Sequence, residues 1–277
     1  REDLWQLVLV FAAGIVNECR IKLLTLVGEP VEAGRAGAAG YGGAVGLPRH
    51  RRIPDDVLPV LSTRGPVADS LAALLQPEWG SPGHMLFIKG TPGWGKILFI
   101  SLLLRRVERP VRFVDLCGCR SDYDIAEAVL TGISLTTEER ARIDRRPVAA
   151  VDALTTYLGR PAVVVFENLH LTHEGRPPAE LAHFVRMAHD QGHYPVIEAW
   201  ADCPSVTGAV PIAQVRRVSA HDLPRLTQHE IRAWSRQALG RDATADELEA
   251  LELFGGHPQA VGRALELLSS QIGRAHV

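Results

Sequence analysis

The sequence predicts a three-layer α/β fold with a mainly parallel sheet, followed by a small all-helical lid domain. Three observations predict it. Between His84 and Ala220 short apolar stretches alternate with helix-length segments, as a parallel sheet with crossover helices requires. The first such stretch, "HMLFIKG", runs into "GTPGWGK", whose Gly90, Gly95 and Lys96 have the G-x-x-x-x-G-K spacing of a phosphate-binding loop. From His221 onward only helical patterns remain.

The elements follow in order. "LWQLVLVFAAGIV", Leu4 to Val16, predicts a buried helix, and the Gly- and Ala-rich "VEAGRAGAAGYGGAVGLPRHRR" that follows lacks apolar periodicity and predicts a flexible linker, so 1–55 is expected to be the end of an upstream region. The core is expected over 56–220. It opens with a short helix from about Pro66 to Leu75 and continues with the strand "HMLFIKG" and a helix that starts at the glycine loop. "VRFVDL" is a second strand, with helices near Tyr123 to Leu130 and Val148 to Leu158. "AVVVF" is a third, and "PAELAHFVRMAHDQG" a helix stopped by Gly192; "YPVIEAW" and "AQVRRVSA" are the fourth and fifth strands.

The lid is expected over 221–271. Thr227-x-x-Glu230 and Thr244-x-x-Glu247 are capping boxes that open two helices, with Gly240 and Gly255 as stops. A last helix is expected from Pro258 to about Ser270. The closing hexapeptide "IGRAHV", 272–277, reads like the translation of a common short-read sequencing adapter and is set aside; the natural chain is expected to continue beyond Gln271.

Composition narrows the function classes. With 30 basic and 32 acidic side chains the net charge is near zero, which argues against nucleic acid as the main partner, and "PRHRRI" at Pro48 to Ile53 reads as solvated linker. Leu4 to Val16 is shorter than the roughly 20 residues a bilayer requires, so no membrane association is expected. Cys19, Cys117, Cys119 and Cys203 have no zinc-ligand spacing and suit a reducing cytoplasm. Arg outnumbers Lys 27 to 3, so a Lys at position 96, where the loop needs a compact ammonium on a flexible stem, is informative.

Two motifs carry chemistry. Backbone N–H groups of Gly90, Thr91, Pro92's neighbours, Gly93, Trp94 and Gly95, added to the N-terminal dipole of the next helix, form a nest for phosphate, while Lys96 reaches the β and γ oxygens. The next residue should carry a hydroxyl to ligate Mg²⁺; it is Ile97. Trp94 reads as a rigid cover over the loop. Two strands later "VVVFENLH" has the Walker B pattern, an apolar strand ending in acid. In one register Glu167 stands at the metal position and Asn168 at that of the catalytic base, which a neutral amide cannot be; in the other Glu167 is the base and Phe166 faces the metal. An ordinary buried strand with a polar end explains the same letters. His170, His173, His183, His189 and His193 present no third metal ligand and read as surface or capping residues.

On "GTPGWGKI", "VVVFENLH", "VIEAW" and "LFGGHPQAV" the chain resembles the AAA+-related P-loop NTPases of the STAND class, including their NACHT-like branch, from about Asp56 to Gln271. In that class a Gly-x-Pro element of the lid sets its proline against adenine, and Gly256-His257-Pro258 matches it; a helix stop followed by an N1 proline would give the same residues. Glu198, Ala199 and Trp200 stand where the class often carries Thr/Ser-Arg as a phosphate sensor. The resemblance implies an ATP- or ADP-binding switch or scaffold of a bacterial signalling regulator, with weak or absent hydrolysis and Mg²⁺ weakly coupled. It also implies protein partners or self-assembly through flanking domains. The alternatives are an active ATPase that uses Glu167 for Mg²⁺, and a P-loop phosphotransferase acting on a small molecule.

Overall fold

The computed structural model describes residues 62–275 apart from 77–82, 92 and positions within 132–146 and 170–178. The expected N-terminal helix and linker, Cys19, Pro92, His170, His173, and the side chains from residue 270 on lie outside the described residues.

Five parallel strands form one sheet in the order β2-β3-β4-β1-β5. They are β1 (Met85–Lys89), β2 (Val111–Asp115), β3 (Val163–Glu167), β4 (Tyr194–Ala199) and β5 (Val215–Ser219). Each lies where the sequence places it; the inner strands read as nearly continuous apolar runs because a strand covered on both faces has no solvent side, whereas the edge strands β2 and β5 carry exposed polar residues. Every residue of β3 and β4 is buried.

Strand alternation then sorts the core into two layers. Leu86, Ile88, Val163, Val165 and Val196 face α1 (Gly65–Leu74) and α2 (Lys96–Leu104). Met85, Phe87, Val164, Phe166 and Ile197 face α3 (Asp122–Leu130), α4 (Pro147–Leu158) and α5 (Leu181–Asp190). In α5 the buried residues Leu181, Phe184, Val185 and Ala188 make one stripe at helical spacing, as a helix on the outer layer should. In contrast α2, "KILFISLLL", buries most of its circumference because it lies between the sheet and α1. Full burial of Phe87 or Phe166 stabilises the sheet by about 1.5–3 kcal/mol each.

The C-terminal helices are α7 (Gln228–Leu239), α8 (Ala245–Glu252) and α9 (Pro258–Ala275). Both capping boxes form, Thr227 with Glu230 and Thr244 with Glu247. Leu223, Leu226, Ile231, Leu251, Val261 and Leu265 join the apolar cluster of α1 and α2 without a break. Two details differ from expectation. A short helix α6 (Pro204–Thr207) follows β4, opened by its own proline. And α9 continues to Ala275, past the expected end near Ser270, because each residue added to a formed helix gains a hydrogen bond at little cost.

Among the described residues no helix is long and apolar enough to cross a membrane. His193 is not a surface residue: it is 1% exposed, its Nδ1 accepts the Ala162 N–H at 3.1 Å and its Nε2 lies 2.8 Å from the Thr155 hydroxyl. The described cysteines are free thiols, and burial, followed by Asp124, Asp115 and Cys117, pushes Cys119 up to about 11.

Candidate functional site

The chain lays β1 down near the middle of the sheet, then β2 at one edge, fills back through β3 and β4, and crosses β1 to place β5. Such a reversal opens a crevice outside the carboxyl ends of the strands, the usual place for a ligand in open parallel sheets. The loop from Gly90 to Gly95 lies there, between β1 and α2.

The loop is held by its glycines and by its neighbours. Gly90 N–H donates to the Ala199 carbonyl at 3.2 Å and so ties the loop to the end of β4. Gly95, the residue before α2, is left-handed (φ 72°, ψ 36°), and a Cβ there would stand 3.1 Å from Arg64 Nη1 and 3.2 Å from Pro258. Gly93 is also left-handed (φ 89°), and a Cβ on it would overlap the His257 imidazole and come within 2.6 Å of Gln259 Oε1. Both positions therefore require glycine for conformation and for space. Thr91 is exposed.

Lys96 is 5% exposed although it opens a helix. Its Nζ donates to the carbonyls of Gly90 (2.6 Å) and Thr91 (3.3 Å), and it lies 3.0 Å from Glu198 Oε1. Glu198, itself 3% exposed, accepts the Asn168 N–H at 3.0 Å with its other oxygen. Asn168 in turn donates its side-chain amide to Asp115 Oδ1 at 2.8 Å. A continuous polar row thus crosses the sheet's carboxyl rim: Asp115 from β2, Asn168 after β3, Glu198 from β4 and Lys96 after β1. Asn168 has φ 59°, the left-handed region that Asn tolerates better than other residues with a Cβ. Glu167 is 1% exposed at the end of β3, and the register Phe166 to Ile197 carries it next to Glu198.

The other expected residues sort differently. Ile97 packs against the apolar cluster of α1 and α2. Trp94 turns to the C-terminal helices: its ring centroid lies 4.5 Å from that of His221 and 5.3 Å from that of His257, with the Arg225 guanidinium 5.3 Å from the ring centre. Pro258 starts α9 against Gly95, and Gln259 N–H donates to the Gly93 carbonyl at 3.3 Å. Burial, then the cations Arg225 and Arg64 and then His221, hold the His257 imidazole below its ordinary pKa.

Sequence reasoning missed Arg64. It is fully buried; Nε donates to the Pro224 carbonyl at 2.9 Å, Nη1 to those of Trp94 and Gly95 at 3.3 and 3.5 Å, and Nη2 has no hydrogen-bond partner among the described residues. Burial lowers its pKa, opposed by Glu230. The available signal was an Arg immediately before a helix, where a cation works against the helix dipole and so needs another reason to be there. Next to it, Thr63 donates its N–H (3.0 Å) and hydroxyl (2.8 Å) to Glu230 Oε1, while Glu230 Oε2 caps α7 through Thr227. Residues 62–64 therefore link the loop, the Pro224 turn and α7.

No family model matches the chain, and no curated protein matches it. Solved structures do. The Aeropyrum pernix ORC1 protein in complex with DNA is 18% identical with a TM-score of 0.52, over 81% of this chain and 64% of that one. The Aeropyrum pernix ORC2 protein, in its ADP form, is 16% identical with a TM-score of 0.53, over 76% of this chain and 63% of that one. The chain thus spans less than two thirds of each. The expectation that excluded nucleic acid is corrected here. A protein of this fold was solved with DNA, and a net charge averaged over a whole chain does not describe a local surface. At these identities the likeness is one of fold, and this chain shares with the two Aeropyrum pernix proteins its α/β architecture on a parallel sheet.

Proposed function

We propose that this chain is the nucleotide-binding module of a bacterial, cytoplasmic regulator of the STAND type, an ATP- or ADP-dependent switch or scaffold with weak or absent hydrolysis. The observation that carries the reading is Lys96, whose ammonium is buried under a loop of left-handed glycines at the reversal point of the sheet. The loop suits phosphate through its backbone: left-handed Gly93 and Gly95 turn it, and α2 presents its N-terminus.

The fit to Mg²⁺ is poorer. Ile97 supplies apolar surface where a hard cation needs oxygen, and among the described residues no three metal-ligating side chains converge. Hydrolysis further needs a base, and the Asn168 amide is a donor to Asp115. A bound triphosphate would supply the phosphoanhydride; the chain's own residues bind and orient it but do not activate water.

Calorimetry with ADP on the intact chain tests the reading. Lys96→Ala is expected to weaken binding at least about 100-fold, since a charge-assisted contact to phosphate is lost. Unchanged affinity refutes it. A working ATPase is the second reading, favoured by the exposed Asp115 carboxylate beside Asn168; phosphate release at about 1 per second or faster would select it. DNA belongs among the partners to be assayed, given the DNA complex of the Aeropyrum pernix ORC1 protein.

A further inference from the structure

We propose that Glu198 makes this site selective for a nucleoside diphosphate over a triphosphate. The inference rests on the nucleotide-binding reading and adds a specificity residue to it.

In a phosphate-binding loop the lysine is the mobile cation that serves the β and γ phosphates, whereas backbone N–H groups and the helix N-terminus carry much of the remainder. Here that cation already has a carboxylate partner. Glu198 Oε1 lies 3.0 Å from Lys96 Nζ, and both side chains are more than nine-tenths buried. The pair is fixed from the Glu198 side. Its second oxygen accepts the Asn168 N–H at 3.0 Å, its strand is hydrogen-bonded to β3 and β1, and the next residue, Ala199, accepts the Gly90 N–H. Asn168 is fixed in turn by its left-handed backbone and its bond to Asp115.

A third phosphate has to draw on the ammonium that Glu198 holds. It also brings its charge toward a rim where Glu198 and Asp115 already present carboxylates, with the Glu167 side chain on the adjacent strand. Water is largely excluded at Lys96 and Glu198, so repulsion between like charges is weakly screened there. A diphosphate asks for one contact from Lys96, which Nζ makes in place of its bonds to the Gly90 and Thr91 carbonyls while it stays against Glu198, and takes the rest from the loop N–H groups and α2. Discrimination then comes from a repulsive group built against the longer ligand.

The test is calorimetry on the intact chain with ADP and with AMP-PNP, which is not hydrolysed at the terminal bond, each in EDTA and in millimolar Mg²⁺. Wild-type protein is expected to bind ADP at least about tenfold more tightly than AMP-PNP. Glu198→Gln keeps the shape and an acceptor for the Asn168 N–H but removes the charge. It is expected to tighten AMP-PNP at least about tenfold and to change ADP less than about threefold. Glu198→Ser, also uncharged, repeats the measurement if the Gln variant does not fold. AMP-PNP binding to wild type as tightly as ADP overturns the proposal, as does a ratio that neither variant changes. Those results leave the nucleotide site standing; if neither ligand binds wild type, the site reading itself falls and the selectivity with it.

Discussion

Asn168 is the residue through which β3 addresses its neighbours on both sides, its amide donating to Asp115 and its N–H to Glu198. That role depends on a left-handed backbone, which the letters "ENLH" do not announce; the sequence showed a missing acid but not a new connector. Ile97, one residue beyond Lys96, lends itself to a direct test. Its side chain packs against the apolar cluster, so Ile97→Thr exchanges an ethyl group for a hydroxyl at a half-buried position and should cost about 1 kcal/mol in urea unfolding. The same change restores the expected Mg²⁺ ligand. Nucleotide affinity in wild type should differ little between EDTA and millimolar Mg²⁺, and the variant should widen that difference. His193 tests burial instead. Burial holds its pKa below the ordinary value, so the unfolded chain binds the proton more readily. This contribution to stability is present above about pH 6.5 and is lost as pH falls from there toward the lower folded-state value. Thermal unfolding between pH 7.5 and 5 should show the decline, and His193→Asn should flatten it.

At the level of elements, most of the layout was legible and the reasons are local. "MLFIK" and "AVVVF" read as strands because burial on both faces leaves no polar alternation, and Thr227-x-x-Glu230 reads as a helix start because three residues close the box. What was not legible is long-range. Nothing near Glu198 in sequence marks it as the partner of Lys96, and nothing near Glu230 shows that its second oxygen holds Thr63. Burial raises the Glu230 pKa, but the hydrogen bonds from Thr227 and Thr63 outweigh it and hold the carboxyl below its ordinary range. Glu230→Ala should therefore cost about 2–4 kcal/mol, combining a lost cap with buried donors left unmet. Glu247→Ala in the equivalent box of α8 should cost about 1 kcal/mol, the ordinary value of a cap. Urea unfolding of the two variants checks the order. For Glu230 the stabilisation is full above the unfolded carboxyl's pKa of about 4.3 and is lost as pH falls through the lower folded-state value.

Over the whole molecule, the C-terminal helices share one apolar cluster with α1 and α2, and they touch the loop directly through His257, Pro258 and Gln259. Loop and helices are thus expected to act as one unit. Gly93→Ala tests this: the new Cβ displaces His257 and Gln259 and imposes a left-handed backbone on Ala, so stability should fall by about 1–3 kcal/mol. Nucleotide affinity should fall with it, although no phosphate-binding side chain has changed. Thermal unfolding and calorimetry on the same preparation read both effects.

The three residues Ser62, Thr63 and Arg64 also make a mechanical connection. They join the backbone that precedes them to the Glu230 carboxylate, the Pro224 carbonyl and the carbonyls of Trp94 and Gly95. Tension drawn along the chain at Ser62 is loaded onto those few polar bonds in series, ahead of the interlocked hydrogen bonds of the sheet, which share load in parallel. The first thing such a pull would undo is the grip on the glycine loop and α7, while the five strands stayed paired. A tug from upstream is in this sense a handle on the pocket, and its release would let the same bonds re-form.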